Sequence, residues 1–153
     1  MARYDISSGQ VRSGITLNYD YLNYDYMHVY YSGTAIATAV NSGRLYVSSG
    51  GTANFTTINP GGELYVSSGG TANSTTVNDG YLDVLSGGTA NSTTVNSGRL
   101  QLHSATFQKD SRQREIDPQV LENTDCGAGV CVSISRPVLS GSIQGCKEAD
   151  IPE

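Results

Sequence analysis

The side chains able to do chemistry are few and scattered. Acid–base work needs carboxylates or histidines gathered in one cleft, and the candidates here are Glu63, Asp79, Asp83, His28 and His103. Glu63 falls at a repeat position that otherwise holds Arg44, Tyr81 and Arg99, and such mixed identity marks an exposed, unconstrained site. Asp79 and Asp83 are near each other in sequence, with no third group beside them. His28 and His103 lie toward opposite ends of the repeats, too far apart to share a metal. Cys126, Cys131 and Cys146 do not have zinc-knuckle spacing, and their odd number leaves one disulfide at most, or three free thiols. No catalytic, cofactor-binding or metal-ligating residue is assigned, and a non-enzymatic protein without a cofactor is expected.

The tyrosines are the other candidates. Tyr19, Tyr21, Tyr24, Tyr26, Tyr30 and Tyr31 crowd into one short stretch, and Tyr46 and Tyr65 recur downstream. Tyrosine offers rigid, amphipathic contact area at low entropic cost, which suits recognition of protein or sugar. Tyr19, Tyr21, Tyr24, Tyr26, Tyr46 and Tyr65 are therefore the expected binding surface. The competing reading is that tyrosine is simply a good exposed strand residue, multiplied here by duplication.

What must position these residues is a tandem repeat. Ser86-Gly87-Gly88-Thr89-Ala90-Asn91-Ser92-Thr93-Thr94-Val95-Asn96 repeats Ser68 to Asn78 without change. It also appears from Ser49 to Asn59 with Phe55 and Ile58 as the two differences, and in degraded form from Ser32 to Asn41. A period near 20 residues is the mark of a solenoid. Asn23, Asn41, Asn59, Asn78 and Asn96 are spaced 18, 18, 19 and 18. Leu45-Tyr46-Val47 and its counterparts alternate with period two, Leu and Val inward and Tyr outward. Thr56-Thr57-Ile58 does the same with β-branched residues that favour strand. Gly50-Gly51, Pro60-Gly61-Gly62 and Asp79-Gly80 are turn chemistry.

The expected fold is all-β, a short parallel β-helix of about five rungs of 18–19 residues, each stacked about 4.8 Å from the next. Asparagine at one corner, at 23, 41, 59, 78 and 96, is expected to form a ladder of side-chain amides. The column Thr38, Thr56, Thr75 and Thr93 is expected to chain hydroxyls in the same way. Leu17-Asn18-Tyr19-Asp20-Tyr21 is duplicated at once as Leu22-Asn23-Tyr24-Asp25-Tyr26. The spacing of Asn23 to Asn41 predicts that the second copy stays in the stack while the first bulges.

The repeat domain is assigned to residues 1–104. Residues 105–153 change character: five Lys and Arg and eight Asp and Glu stand against four and six in the first 104. They are read either as a cap over the end of the stack, with a short helix between Phe107 and Val120, or as an irregular, disordered tail foreign to the repeat. A net charge of −5 argues against nucleic acid and against docking on anionic lipid. No apolar run approaches the roughly 20 residues of a membrane-spanning helix, and Met1 to Asp5 opens no signal peptide.

The run Asn41-Ser42-Gly43-Arg44-Leu45-Tyr46-Val47-Ser48-Ser49-Gly50-Gly51-Thr52-Ala53, continuing through Thr56-Thr57-Ile58-Asn59, resembles the AIDA-type repeat of bacterial autotransporter adhesins. The resemblance covers roughly residues 7–104. It implies a passenger β-helix on a bacterial surface, or extracellular if exported, that mediates self-association, biofilm formation or attachment to a cell-surface glycan or protein. Some members carry glycans on repeat hydroxyls. With few rungs and neither export signal nor membrane barrel, the chain is expected to be a fragment or small relative of such a passenger. A carbohydrate-binding or carbohydrate-active β-helix is the alternative.

Overall fold

The computed structural model describes residues 1–20, 22–103, 105–110 and 125–126. Strands are numbered in chain order. Three short strands per turn give a rod with three faces, each strand of the rod pairing in parallel with the equivalent strand one turn away. The first face stacks β1 (Arg3–Ile6), β6 (Tyr26–Val29), β9 (Arg44–Val47), β12 (Glu63–Val66) and the later halves of β14 (Thr76–Val84) and β15 (Thr89–Leu102). The second stacks β2 (Val11–Ser13), β7 (Thr34–Ile36), β10 (Thr52–Asn54), β13 (Thr71–Asn73), the start of β15 and β16 (Thr106–Lys109). The third stacks β3 (Thr16–Leu17), β8 (Ala39–Val40), β11 (Thr57–Ile58), the start of β14 and the middle of β15. This is the parallel β-solenoid that the period implies.

Alternation puts one set of side chains into the rod. Met27, Leu45, Leu64, Leu82 and Leu100 form one buried column, and Ile6, Val29, Val47, Val66, Val84 and Leu102 another. Leu17, Val40, Ile58, Val77 and Val95 line the third face from inside. Burying each such side chain contributes about 1.5–3 kcal/mol, which a single turn could not obtain alone.

The two glycines of Ser-Gly-Gly serve different needs. Gly69 sits at φ +73°, the left-handed region that L side chains avoid. Gly70 has no such torsion; a Cβ there would stand 2.6 Å from the carbonyl oxygen of Val47 in the previous turn. The corner between the second and third faces also turns through a left-handed residue in successive turns, but with side chains in place: Ala37, Phe55, Ser74 and Ser92 have φ of 51°, 57°, 54° and 51°. Their N–H groups reach forward to the next turn, as from Phe55 N to Asn73 O at 2.9 Å and from Ser74 N to Asn91 O at 2.9 Å.

The stack departs from expectation in three places. At the duplication, the copies exchange roles. Leu17 is fully buried beside Val40, while Leu22 is 86% exposed. β4 (Tyr19–Asp20) and β5 (Asn23–Tyr24) form a small antiparallel pair that leaves the rod, which resumes at Tyr26. Looping out residues near 19–24 keeps the early rung complete, because Arg3–Ile6 and Val11–Ser13 supply its other two strands. The threonine column is the second departure. Thr38, Thr56, Thr75 and Thr93 are buried, but their hydroxyls reach no protein partner, so they fill space rather than chain. Third, strand pairing continues past residue 104. Thr106–Lys109 pairs with Thr89 and Ala90, and Phe107 is buried at the end of the Ala35, Ala53, Ala72, Ala90 column. The rest of the expected helix or cap, from 111 to 120, lies outside the described residues. Asp125–Cys126 pairs with Gln101 and Leu102; Cys131 and Cys146 lie outside.

Candidate functional site

Because inward positions are spent on packing, anything the rod does falls to its outward columns. Those of the first face vary from turn to turn. One column reads Arg3, Tyr26, Arg44, Glu63, Tyr81, Arg99, and the next Asp5, His28, Tyr46, Tyr65, Asp83, Gln101. The aromatic members of the second column stack. His28 and Tyr46 have ring centroids 4.6 Å apart at 15°, and Tyr46 and Tyr65 are 5.2 Å apart at 11°. Tyr30 lies almost parallel to His28, and Tyr81 closes the series edge-on to Tyr65 at 75°. The ring faces are therefore used by one another. What Tyr46 and Tyr65 offer a partner is ring edges and phenol oxygens.

The charged members are paired. Arg44 Nε donates to Glu63 Oε2 at 2.7 Å, and Tyr65 Oη donates to the same oxygen at 2.9 Å. Mixed identity at the Glu63 position thus signifies cross-turn ion pairing, not an unconstrained site, because opposite charges directly across a ladder attract. Burial raises the Tyr65 pKa, and the Glu63 carboxylate adds to it. Burial likewise raises Tyr81, then Asp83 adds to the effect. Tyr81 Oη lies 2.5 Å from Gln101 Oε1 and 3.4 Å from Asp83 Oδ2. Asp83 Oδ1 is 3.3 Å from His103 Nε2. Burial raises the Asp83 pKa, opposed chiefly by His103. His28 is pushed down by burial, against the pull of Asp5. Asp79 occupies an exposed corner at φ 59°, away from this network.

The remaining tyrosines separate by position. Tyr19 and Tyr24 face each other on the projecting pair, ring centroids 4.6 Å apart. The Arg44 guanidinium lies 4.7 Å from the Tyr24 ring centre, tying the projection to the rod. Tyr26 is on the first face, edge-on to His28. Tyr21 lies outside the described residues. Tyr31, 70% exposed, is the most accessible ring among them.

The second and third faces are more repetitive and carry no charge on their interior strands, although Arg12 stands in β2 and Ile36 holds the place of asparagine in β7. On the third, the amide row runs Asn18, Asn41, Asn59, Asn78, Asn96, with Nδ2 to Oδ1 distances of 3.3, 2.6, 3.4 and 2.7 Å. Asn18 holds the place expected for Asn23, since the first copy of the duplication is the one in the stack. A second row, Asn54, Asn73, Asn91, runs along the second face at 2.9 and 3.1 Å. Sequence reasoning missed it, although the same 18–19 spacing marks it. Beside it stand Thr34, Thr52, Thr71, Thr89 and Thr106 in unbroken register.

Among the described residues no group of three or more His, Cys, Asp and Glu is arranged to hold a metal ion, and no helix is long and apolar enough to cross a membrane.

A family model described as the adhesin of the bacterial autotransporter system, probable stalk, matches residues 32–81 and again 50–99. Among solved structures, a crystal structure of a TibA fragment hyper-glycosylated by TibC is similar, with 36% sequence identity and a TM-score of 0.60. The similarity covers 70% of this chain and 42% of that one, so the chain spans less than half of the solved fragment. None of the curated proteins matches.

Proposed function

We propose, for a chain whose residues 32–99 are AIDA-type stalk repeats of the bacterial autotransporter system, that the rod is a non-enzymatic adhesion module at a cell surface, associating side by side with a second copy through its third face. The observation that carries this is the amide row from Asn18 to Asn96. Each interior asparagine spends one N–H and one carbonyl lone pair on its neighbours and keeps another of each. A row of paired donors and acceptors is complementary to a copy of itself, and the uncharged threonines beside it, Thr57, Thr76 and Thr94, add no repulsion.

Attachment to a cell-surface glycan or protein falls to the first face and the projecting pair. There Tyr26, Tyr46 and Tyr65 present edges and hydroxyls, while Tyr19 and Tyr24 present rings; Tyr21 belongs to the same segment. The similar TibA fragment is itself hyper-glycosylated. For this chain, exposed corner hydroxyls such as Ser68, Ser86 and Ser92 are the accessible acceptors.

Sedimentation velocity over a concentration series tests the association. The wild-type chain is expected to show a concentration-dependent dimer, and Thr57→Lys with Thr76→Lys to shift the equilibrium at least tenfold toward monomer. A monomeric wild type at every concentration, or a lysine pair without effect, would refute the third-face interface.

A further inference from the structure

The second face carries an array that neither packing nor the third-face interface uses. Thr34, Thr52, Thr71, Thr89 and Thr106 stand one above another in direct register, and Asn54, Asn73 and Asn91 run parallel to them two residues along each strand. No charged residue interrupts β7, β10 or β13. β-Branching restricts χ1 of each threonine, so its hydroxyl and methyl recur in one orientation. The hydrogen-bonded Asn54–Asn73–Asn91 row fixes the neighbouring column.

Such an array offers water hydrogen-bonding groups at repeating positions. Along the rod, the repeat is about 4.8 Å, and across the strand, from residue i to i+2, about 6.7 Å. In a tetrahedral water lattice with O···O of about 2.75 Å, second neighbours are about 4.5 Å apart and the layer repeat is about 7.3 Å. With Thr71 placed in register, the mismatch grows to only about 0.6 Å at either end of the five-threonine row. Across the strand it is also about 0.6 Å, incurred once. These offsets are within what hydrogen bonds accommodate, and a rigid array has little ordering entropy left to lose. Charged side chains would orient water radially and spoil the match; this face has none on its interior turns.

We infer that the second face is a binding surface for ice. Its ligand is the ordered lattice of solid water, engaged through waters held by the Thr and Asn rows. The third face is a poorer candidate because its threonine row is broken by Ala39.

The test measures ice growth in a nanolitre osmometer with the full 153-residue chain. Wild type is expected to facet a seed crystal and to open a gap between melting and freezing points. Thr71→Lys with Thr89→Lys, outward positions whose replacement leaves the core intact, should cut that gap at least tenfold while circular dichroism stays β-type. The third-face pair, Thr57→Lys with Thr76→Lys, should keep it. That separates this inference from self-association, which sedimentation reads independently. Round, unshaped crystals with folded wild type would overturn the inference. So would an undiminished gap in the second-face pair, or loss of the gap only in the third-face pair.

Discussion

At the scale of single residues, the repeat is written in backbone torsions and clearances as much as in side chains. Gly70 and Phe55 make the point from opposite sides. Gly70 has an ordinary torsion, but the carbonyl of Val47 occupies the space a Cβ would need, 2.6 Å away. That neighbour is backbone, held in the ladder by Ser67 N at 2.9 Å, and cannot swing aside. Gly70→Ala is therefore expected to destabilise by about 1–3 kcal/mol, the range for overpacking a tight site. Phe55 occupies a left-handed corner at φ 57° with its ring 64% exposed. A bulky L residue there is strained and recovers little by burial. Phe55→Gly should stabilise by about 0.5–1 kcal/mol once the glycine's greater unfolded-state entropy is set against the relieved strain. Denaturant unfolding of both variants checks the pair. A harmless Gly70→Ala would mean the turns are not held as closely as the backbone ladder implies.

At the scale of strands and corners, the duplicated Leu-Asn-Tyr-Asp-Tyr decides which segment is structural. Leu17 is fully buried in the third-face column, and Leu22 is 86% exposed on the projection. Leu17→Ala is expected to cost about 2–5 kcal/mol, whereas Leu22→Ala should fall within about 0.5 kcal/mol of wild type. Thermal and denaturant melts of the two variants settle it, and the reverse order would restore the register in which the second copy stacks. This element also shows where the sequence ran out. Spacing of 18 and 19 residues located the rungs, the inward columns and the amide row from Asn41 onward, because identical turns force identical neighbours. Only the second copy keeps that spacing, with Asn23 18 residues before Asn41 and Asn18 23 before it, so the spacing pointed to the copy that leaves the rod. The choice rests on tertiary closure of an early rung by Arg3–Ile6 and Val11–Ser13, strands that carry almost none of the repeat's signature. The Arg44–Glu63 pair was hidden for a related reason. Its position looks random read down one column, and it becomes a charge pair only when adjacent turns are set side by side. The Asn54 row, by contrast, was legible in the spacing, since Asn54, Asn73 and Asn91 recur at 19 and 18 residues.

At the scale of the whole rod, each turn contacts mainly its two neighbours, so stability should be a sum of turn and interface contributions. Residues 68–85 make one complete turn, and joining Ser67 to Ser86 recreates the Ser-Ser-Gly-Gly-Thr sequence at the junction. In the shortened chain Thr89 would pair with Thr52, and Leu100 and Leu102 would cover Leu64 and Val66, the contacts now made by Thr71, Leu82 and Val84. Glu63 would stand between Arg44 and Arg99. The Asp83 carboxylate on the first face, whose pKa burial raises, would leave with the excised turn. The excision should therefore fold to the same β-type spectrum and melt cooperatively, at a lower temperature because one interface is lost. Removing only residues 68–76 puts Val77, Asn78 and Asp79 in the places of Ser68, Gly69 and Gly70, so a side chain meets the Val47 carbonyl that only glycine clears. It also sends every later side chain out of its column. That chain should lose the cooperative melt altogether. Circular dichroism melts of both deletions make the comparison, and an unfolded full-turn deletion would show that the rungs are not interchangeable units, whatever their sequence identity.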